Sequence, residues 1–335
     1  MELYLDSVKI DEINEANSLG YLTGLTTTPT FMFRDGIKDI DAAILEISRM
    51  VNILQVEAMG NSSEEIIDEA ERLIKLGLDI KKTVFKIPIS LEGTKACKRL
   101  IDKGLMVNLH LVYTLQQAYM AFCAGATYVC PLVGRLQDQG HDALGLVEDC
   151  VKVVEKYNYH SKVMFSSVRH LEHVKNALNI GAHACTIPWS VMKLLTENHF
   201  TRIGTEEFIR HTNLLNTKVK DLVRKNNTLL SSSATIAEAL LEMTKSKVGA
   251  VIAINNQKSI HRIFTDGDLR RIMEEKQGNI LNIKLSELKT NKPHSISSNV
   301  SLLDAHTKFK ETKVDTLVVM DGEVVLGLLD IQDII

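Results

Sequence analysis

Lys86 lies inside the apolar run Val84-Phe85-Lys86-Ile87-Pro88-Ile89. An ammonium in such a strand is costly unless it is paired or put to use. Desolvation lowers a lysine's pKa and leaves a nucleophilic amine, the state that forms a Schiff base with a ketone or aldehyde. A strand-end lysine held by a carboxylate is the other reading of the same residue. Polar groups end the neighbouring apolar runs too: Asp6, Glu57, and the pair Asn108 and His110, two apart and so on one face of a strand. A later run leads into Ser166-Ser167-Val168-Arg169. One such group is ordinary, whereas a set converging on one mouth makes a site.

These groups share a mouth only if the strands carrying them close into a ring. Short apolar runs at 3–6, 22–26, 53–57, 83–86, 106–110, 127–130, 162–165 and 184–187 read as strands. Amphipathic segments such as 63–76, 91–103, 116–124 and 145–157 read as helices between them. Eight such units predict an α/β fold, a (β/α)8 barrel with its reactive groups at the C-terminal ends of the strands. A doubly wound sheet is the alternative, but no Gly-rich fingerprint follows the first strand.

The bulk properties narrow the function classes. The chain has 335 residues, 45% of them hydrophobic, enough for a large domain and a smaller one. A net charge of −3 with no basic half disfavours nucleic-acid binding through a general electrostatic patch. The five cysteines form no C-x-x-C pair, which suggests reduced thiols in a cytoplasmic protein. No basic region followed by a long apolar stretch opens the chain, and no apolar run reaches membrane-span length, so secretion and membrane insertion are not expected. The histidines lack ligand spacing such as H-E-x-x-H, so no metal is expected. The scattered methionines read as core filling, and Trp189 either walls the site or packs.

Residues from about 205 to 225 read as a polar, charged helix. Beyond it Ser233-Ala234-Thr235-Ile236-Ala237-Glu238-Ala239 is echoed by Asn299-Val300-Ser301-Leu302-Leu303-Asp304-Ala305, and Lys247-Val248 by Lys313-Val314, at a common offset. Each copy runs into a buried strand, a turn and an acidic helix start, at Phe264-Thr265-Asp266-Gly267-Asp268-Leu269 and Leu329-Asp330-Ile331-Gln332-Asp333-Ile334. This is an internal two-fold repeat. The domain boundaries expected are 1–205 for the barrel, 206–226 for a linker helix and 227–335 for the repeat.

The runs Leu3-Tyr4-Leu5-Asp6, Gly24-Leu25-Thr26-Thr27-Thr28-Pro29-Thr30, Phe85-Lys86-Ile87-Pro88, Gly125-Ala126-Thr127-Tyr128-Val129, Val133-Gly134-Arg135-Leu136 and Ser167-Val168-Arg169 occur in order along the first segment. With them, residues 1 to about 215 resemble the transaldolase family, in the short branch that also contains fructose-6-phosphate aldolase. The resemblance implies a class I aldolase or transaldolase acting on a phosphorylated sugar without a cofactor. In that family's terms Lys86 would form the Schiff base, and Asp6 would handle the C4 hydroxyl proton. Glu57 would act through a water on carbinolamine formation and loss. Arg135, Ser167 and Arg169 match the phosphate-binding positions, where Arg forks suit phosphate oxygens; a rim salt bridge is the plainer role for Arg135. Thr26, Asn108, Cys130 and Leu132 would complete the substrate lining.

Four positions depart from the family pattern. Thr28 stands where the family has asparagine; it is shorter, and would hold a different hydroxyl or a bulkier substrate. His110 stands where a threonine usually helps hold the catalytic water, and either transfers protons itself or fills the water's place. Cys130 replaces a small hydroxyl residue and reads as an inert thiol. Leu132 replaces an aromatic found in both branches. Retained Lys86, Asp6, Glu57 and arginines imply a C–C bond cleaved, formed or transferred on a phosphorylated ketose. The alternatives are a non-catalytic sugar-phosphate sensor and a Schiff-base dehydratase or isomerase, which His110 would serve.

The C-terminal repeat resembles a tandem CBS pair, most closely over Phe264-Thr265-Asp266-Gly267-Asp268-Leu269-Arg270-Arg271. In such modules a Thr or Ser and an Asp three residues on hold a nucleotide ribose. Thr265 and Asp268 fit that pattern; in the second copy Asp330 replaces the hydroxyl residue and leaves Asp333. A nucleotide effector is therefore expected, with dimerisation alone as the alternative role, and both resemblances imply a homo-oligomer.

Overall fold

Along each strand of the first unit, successive side chains point alternately outward and inward, and this alternation builds the site. The computed structural model describes residues 1–225, 228–255, 259–276, 278–289 and 292–334. They fall into two compact units, Met1–Glu197 and Asn198–Ile335. In the first, eight parallel strands close a barrel in chain order: β1 (Glu2–Asp6), β2 (Gly24–Thr26), β3 (Leu54–Glu57), β4 (Thr83–Pro88), β5 (Met106–Val112), β6 (Tyr128–Pro131), β7 (Lys162–Phe165) and β8 (Ala184–Ile187). The expected strands are met to within two residues at each end.

Outward residues such as Leu5, Val56, Phe85, Leu109, Val129 and Val163 pack against the helices as one core. Inward residues Tyr4, Val84, Tyr128, Met164 and Ala184 form a separate cluster in the barrel's lumen. The next inward position on each of these strands is polar or small: Asp6 after Tyr4, Lys86 after Val84, Cys130 after Tyr128, Thr186 after Ala184. An apolar floor therefore carries a polar mouth at the strands' C-terminal ends. Gly24 makes room in the floor, because a Cβ there would stand 2.8 Å from Cε1 of Tyr4 and 2.3 Å from the Ile53 carbonyl oxygen. The hydroxyls of Tyr4 and Tyr128 lie 2.8 Å apart, so their buried polar atoms are satisfied.

The polar helix expected at about 205–225 is observed at His199–Asn216, with a short helix Val219–Leu222 beyond it. Its start is fixed by Asn198, whose Oδ1 accepts from the backbone N–H groups of Phe200 and Thr201. Trp189 opens the helix Trp189–Met192 and packs against the helix-side core.

The second unit holds two three-stranded sheets, β9 (Leu229–Ser231) with β10 (Ala250–Ile254) and β11 (Ile260–Thr265), and β12 (Ser295–Ser297) with β13 (Thr316–Asp321) and β14 (Val324–Asp330). In each, the first two strands are parallel and the last two antiparallel. The two copies match in detail. Helices Ile236–Ser246 and Leu302–Thr312 begin with capping boxes, Thr235 with Glu238 and Ser301 with Asp304. Both end on a left-handed lysine, Lys247 (φ 53°) and Lys313 (φ 54°). The acidic start expected at 329–334 forms a 3-10 turn, Ile331–Asp333, and the matching start in the first copy opens the helix Asp266–Glu275. Among the described residues no helix is long and apolar enough to cross a membrane.

Candidate active site

The register aligns Glu57 of β3 with Lys86 of β4, and Lys86 with Asn108 of β5, in one inward layer. Lys86 is 5% exposed. Its Nζ lies 2.9 Å from Glu57 Oε1 and donates to the Thr27 carbonyl oxygen at 2.7 Å. The sequence left two roles for this lysine, and the geometry meets both conditions: a carboxylate holds the amine, and a cavity opens beside it. Burial works to raise the Glu57 carboxyl, but the Lys86 ammonium and His110 outweigh it and hold it below its ordinary value. His110 Nε2 stands 2.9 Å from Glu57 Oε2, close enough to pair, although neither atom meets an aligned hydrogen-bond geometry. Burial pushes the imidazole down more strongly than Glu57 raises it, so the neutral ring is favoured. Below this layer Asn108 Nδ2 donates to Gln55 Oε1 at 2.6 Å, which fixes Asn108 from beneath.

Asp6 faces the same lumen. Thr26 Oγ1 lies 2.8 Å from Asp6 Oδ1 and 2.6 Å from Thr186 Oγ1, a hydroxyl relay that ends on the carboxyl. Burial raises Asp6 above its ordinary value against the pull of Lys86 and Thr26. The two carboxyls beside one lysine are thereby pushed apart, Glu57 toward the anion and Asp6 toward the acid.

On the far side of the lysine, β5 bulges. Its register with β6 shifts between His110 and Val112, and Leu111 takes a left-handed φ of 59°. Ser167, just past β7, takes the same unusual φ of 59°. Non-glycine residues in this region cost roughly 1–2 kcal/mol each, and such strain gathers where a loop must be aimed. Between them runs the helix Val133–Asp138, which carries Arg135. It approaches the Ser167–Arg169 loop so closely that a Cβ on Gly134 would stand 2.1 Å from the Ser167 carbonyl oxygen and 2.9 Å from Arg169 Nε. Arg135 Nη1 reaches the Tyr113 hydroxyl at 3.3 Å, and Arg169 pairs with Asp138. The rim salt bridge weighed for Arg135 is therefore Arg169's instead.

His173, which no sequence motif singled out, ties these parts together. The Arg169 backbone N–H donates to His173 Nδ1 at 3.2 Å. With Nδ1 accepting, Nε2 carries the proton and donates to Gln137 Oε1 at 2.7 Å. The ring is 2% exposed, and burial favours its neutral form. It fastens the Arg169 loop to the helix that bears Arg135. Its spacing, four residues after Arg169, was the available signal.

All the proposed barrel residues, Asp6, Thr26, Thr28, Glu57, Lys86, Asn108, His110, Cys130, Leu132, Arg135, Ser167 and Arg169, line one cavity of about 630 Å3. Thr28 also caps the helix Pro29–Arg34, accepting from the Phe31 N–H at 3.3 Å. Burial pushes the Cys130 thiol up to about 11, which keeps it protonated and unreactive. Phe31, Arg34 and Met59 also line the cavity and were missed, since nothing in their spacing marks them.

In the second unit Thr265 caps the helix Asp266–Glu275, and Asp268 accepts from the Thr265 N–H and hydroxyl in return. Asp268 also pairs with Arg271 at 2.7 Å and lies 3.4 Å from buried Arg262. Asp333 is held by Arg224, whose Nε donates at 3.0 Å, and accepts from the Asp330 N–H.

A family model described as Transaldolase/Fructose-6-phosphate aldolase matches residues 3–247. The chain belongs to this family. A "Probable transaldolase" of Thermoanaerobacter sp. (strain X514) is 38% identical over 209 residues, 62% of this chain and 95% of that protein. Another, from Geobacter metallireducens, is 38% identical over 211 residues, 63% of this chain and 97% of its own length. The family core thus accounts for the barrel and the beginning of the C-terminal unit. A CBS domain model matches residues 285–335, the second copy of the repeat. A solved CBS domain protein from Pyrobaculum aerophilum, complexed with AMP, is 21% identical over 35% of this chain and 89% of that one, with a TM-score of 0.32.

Proposed function

We propose that this member of the transaldolase family is a Schiff-base enzyme that cleaves, forms or transfers a C–C bond on a phosphorylated ketose. The observation that carries the proposal is Lys86, buried on the lumen face with its amine 2.9 Å from Glu57 and open to the cavity. An ion-paired ammonium must first lose a proton, and Glu57 is the adjacent acceptor. The free amine then adds to the ketone carbon. Glu57 returns the protons taken from the nitrogen to the resulting hydroxyl, which leaves as water, and the iminium forms. Asp6 takes the proton of the C4 hydroxyl as the C3–C4 bond breaks, and the bonding pair moves into the iminium to give an enamine. The aldose leaves. Protonation of the enamine (cleavage) or its attack on an acceptor aldehyde (transfer) regenerates an iminium, and water then hydrolyses it to release the ketone product and free Lys86. Arg135, Ser167 and Arg169 are assigned to the sugar's phosphate.

Borohydride reduction in the presence of ketose phosphates tests this: the expected result is a mass adduct on Lys86, and its absence across a panel counts decisively against the proposal. The approach of His110 to Glu57 favours a second outcome from the same intermediate, dehydration or isomerisation, with His110 moving the extra proton. Product analysis by NMR separates the two. Control by a nucleotide at Thr265, Asp268 and Asp333 completes the proposal; the Arg271 arm is largely exposed and free to swing aside from Asp268. A thermal shift with adenine nucleotides is expected, and none would leave the repeat a structural role.

A further inference from the structure

We infer that Arg34 forms a second anion subsite across the mouth from Arg135, so that the ketose bound at Lys86 carries a second anionic group on its short end. The inference rests on the Schiff-base role proposed for Lys86. Arg34 ends the helix that follows β2, and Arg135 lies on the helix that follows β6. In a closed ring of eight strands in chain order, β2 and β6 are four strands apart in either direction and so face each other. β4, with Lys86, sits two strands from each. Eight strands spaced roughly 4.8 Å apart and tilted ~36° make a ring about 15 Å across, and both arginine side chains reach into the cavity it encloses.

The charge distribution singles out the same two residues. Of the four cations lining the cavity, Lys86 is paired with Glu57 and Arg169 with Asp138. Among the described residues, neither Arg34 nor Arg135 has a carboxylate within ion-pair distance. The Arg34 guanidinium instead lies over the Phe31 ring, 5.6 Å from its centroid. Phe31 in turn lines the same cavity, so the charge and the ring it lies over share one wall of the site. Thr28, shorter than the family's asparagine, lines the same cavity and caps this helix. If the distal phosphate occupies Arg135, Ser167 and Arg169, and the ketone carbon is at Lys86, the remaining end of the chain points to the β2 wall. The shared chemistry there is an anion, either a phosphate ester or a carboxylate. A solvated rim arginine with no ligand is the plainer alternative.

Short ketones decide between them, because they carry only the end that faces Arg34. Adduct formed on Lys86 by borohydride trapping is measured against concentration for neutral dihydroxyacetone, dihydroxyacetone phosphate and hydroxypyruvate. The expected result is half-saturation at an about tenfold lower concentration for one or both anionic ketones than for the neutral one. In Arg34→Gln this ratio should fall to near one, and Arg34→Lys should keep part of it. The preferred anionic ketone identifies phosphate or carboxylate as the group bound. Equal half-saturation for all three in the wild-type enzyme overturns the subsite, as does a preference that survives Arg34→Gln but vanishes in Arg135→Gln. No adduct from these ketones or from ketose phosphates overturns the Schiff-base role itself, a different failure that the neutral ketone makes visible.

Discussion

The barrel mouth and the C-terminal repeat both place hydroxyls and carboxylates at the ends of secondary-structure elements, yet they use them differently. In the repeat the groups close on themselves. Thr235 with Glu238, Thr265 with Asp268, Ser301 with Asp304 and Asp330 with Asp333 each form a capping box within four residues. Such a box specifies a helix start and needs no ligand to explain it. At the mouth Asp6, Glu57, Lys86 and His110 come from four strands, far apart in sequence, and no local motif accounts for any of them. Polar groups gathered from distant elements around a cavity are the stronger sign of chemistry. A nucleotide at Thr265 and Asp268 has to compete with a cap that already satisfies both.

The sharpest way to break this contrast is to remove one group from each region. Lys86→Met should abolish trapping and lower turnover by at least about 10^4-fold, as losing a covalent nucleophile does, while the protein stays folded. Steady-state kinetics and intact mass check it. Asp268→Asn should do the reverse. It removes the charge that faces Arg262, which is 3% exposed, and should lower the stability of the repeat by ~3 kcal/mol in denaturant melts without altering turnover in the absence of nucleotide. Turnover lost with Asp268→Asn, or kept with Lys86→Met, would erase the distinction.

Within the mouth, the phosphate side can be tested through residues that touch no substrate. Gly134→Ala forces a Cβ against the Ser167 carbonyl oxygen, a backbone atom that cannot yield cheaply. It should raise KM for a phosphorylated ketose about 30-fold, and KM for dihydroxyacetone far less. His173→Gln should raise the same KM about fivefold by removing the acceptor for the Arg169 N–H. His173→Asn, whose amide oxygen falls near the position of Nδ1, should recover most of it. A purely structural role for His173 would raise KM equally for phosphorylated and neutral substrates.

Much of this arrangement was legible in the residues alone. The alternation Tyr4-Leu5-Asp6 and Val84-Phe85-Lys86 puts the polar residue on the lumen side once a barrel is assumed, because the period of a strand is two. The repeat was readable from its offset, down to the matched caps. What could not be read was pairing between neighbouring strands and loops. That Lys86 meets Glu57 depends on the β3–β4 register, and that Arg169 takes Asp138 and leaves Arg135 free depends on loop paths that no residue type announces. Arg34 was invisible for the same reason: a helix-end arginine is ordinary until the ring places it opposite Arg135.

The smallest expected effect comes from His110, and it separates the mouth from the repeat by pH. Burial holds its folded-state pKa below the ordinary value of 6.5. A depressed folded pKa contributes stability that is fully present above the unfolded value and is lost as pH falls through the folded one. Acidification below about 6.5 should therefore lower the melting temperature of the barrel, as the buried ring takes up a proton beside Lys86. Glu57, also depressed, adds a second loss below its ordinary value of 4.5, whereas Asp6, raised, works in the opposite direction, losing its contribution as pH rises. His110→Gln, neutral at every pH, should flatten the upper part of that acid limb and leave the lower part in place. If His110 instead rests as the charged partner of Glu57, the substitution will cost stability across the neutral range and the limb near pH 6.5 will be unchanged. The melting profile then decides whether the histidine sits ready to accept a proton or has already committed that capacity to an ion pair, as the acids of the repeat have to their caps.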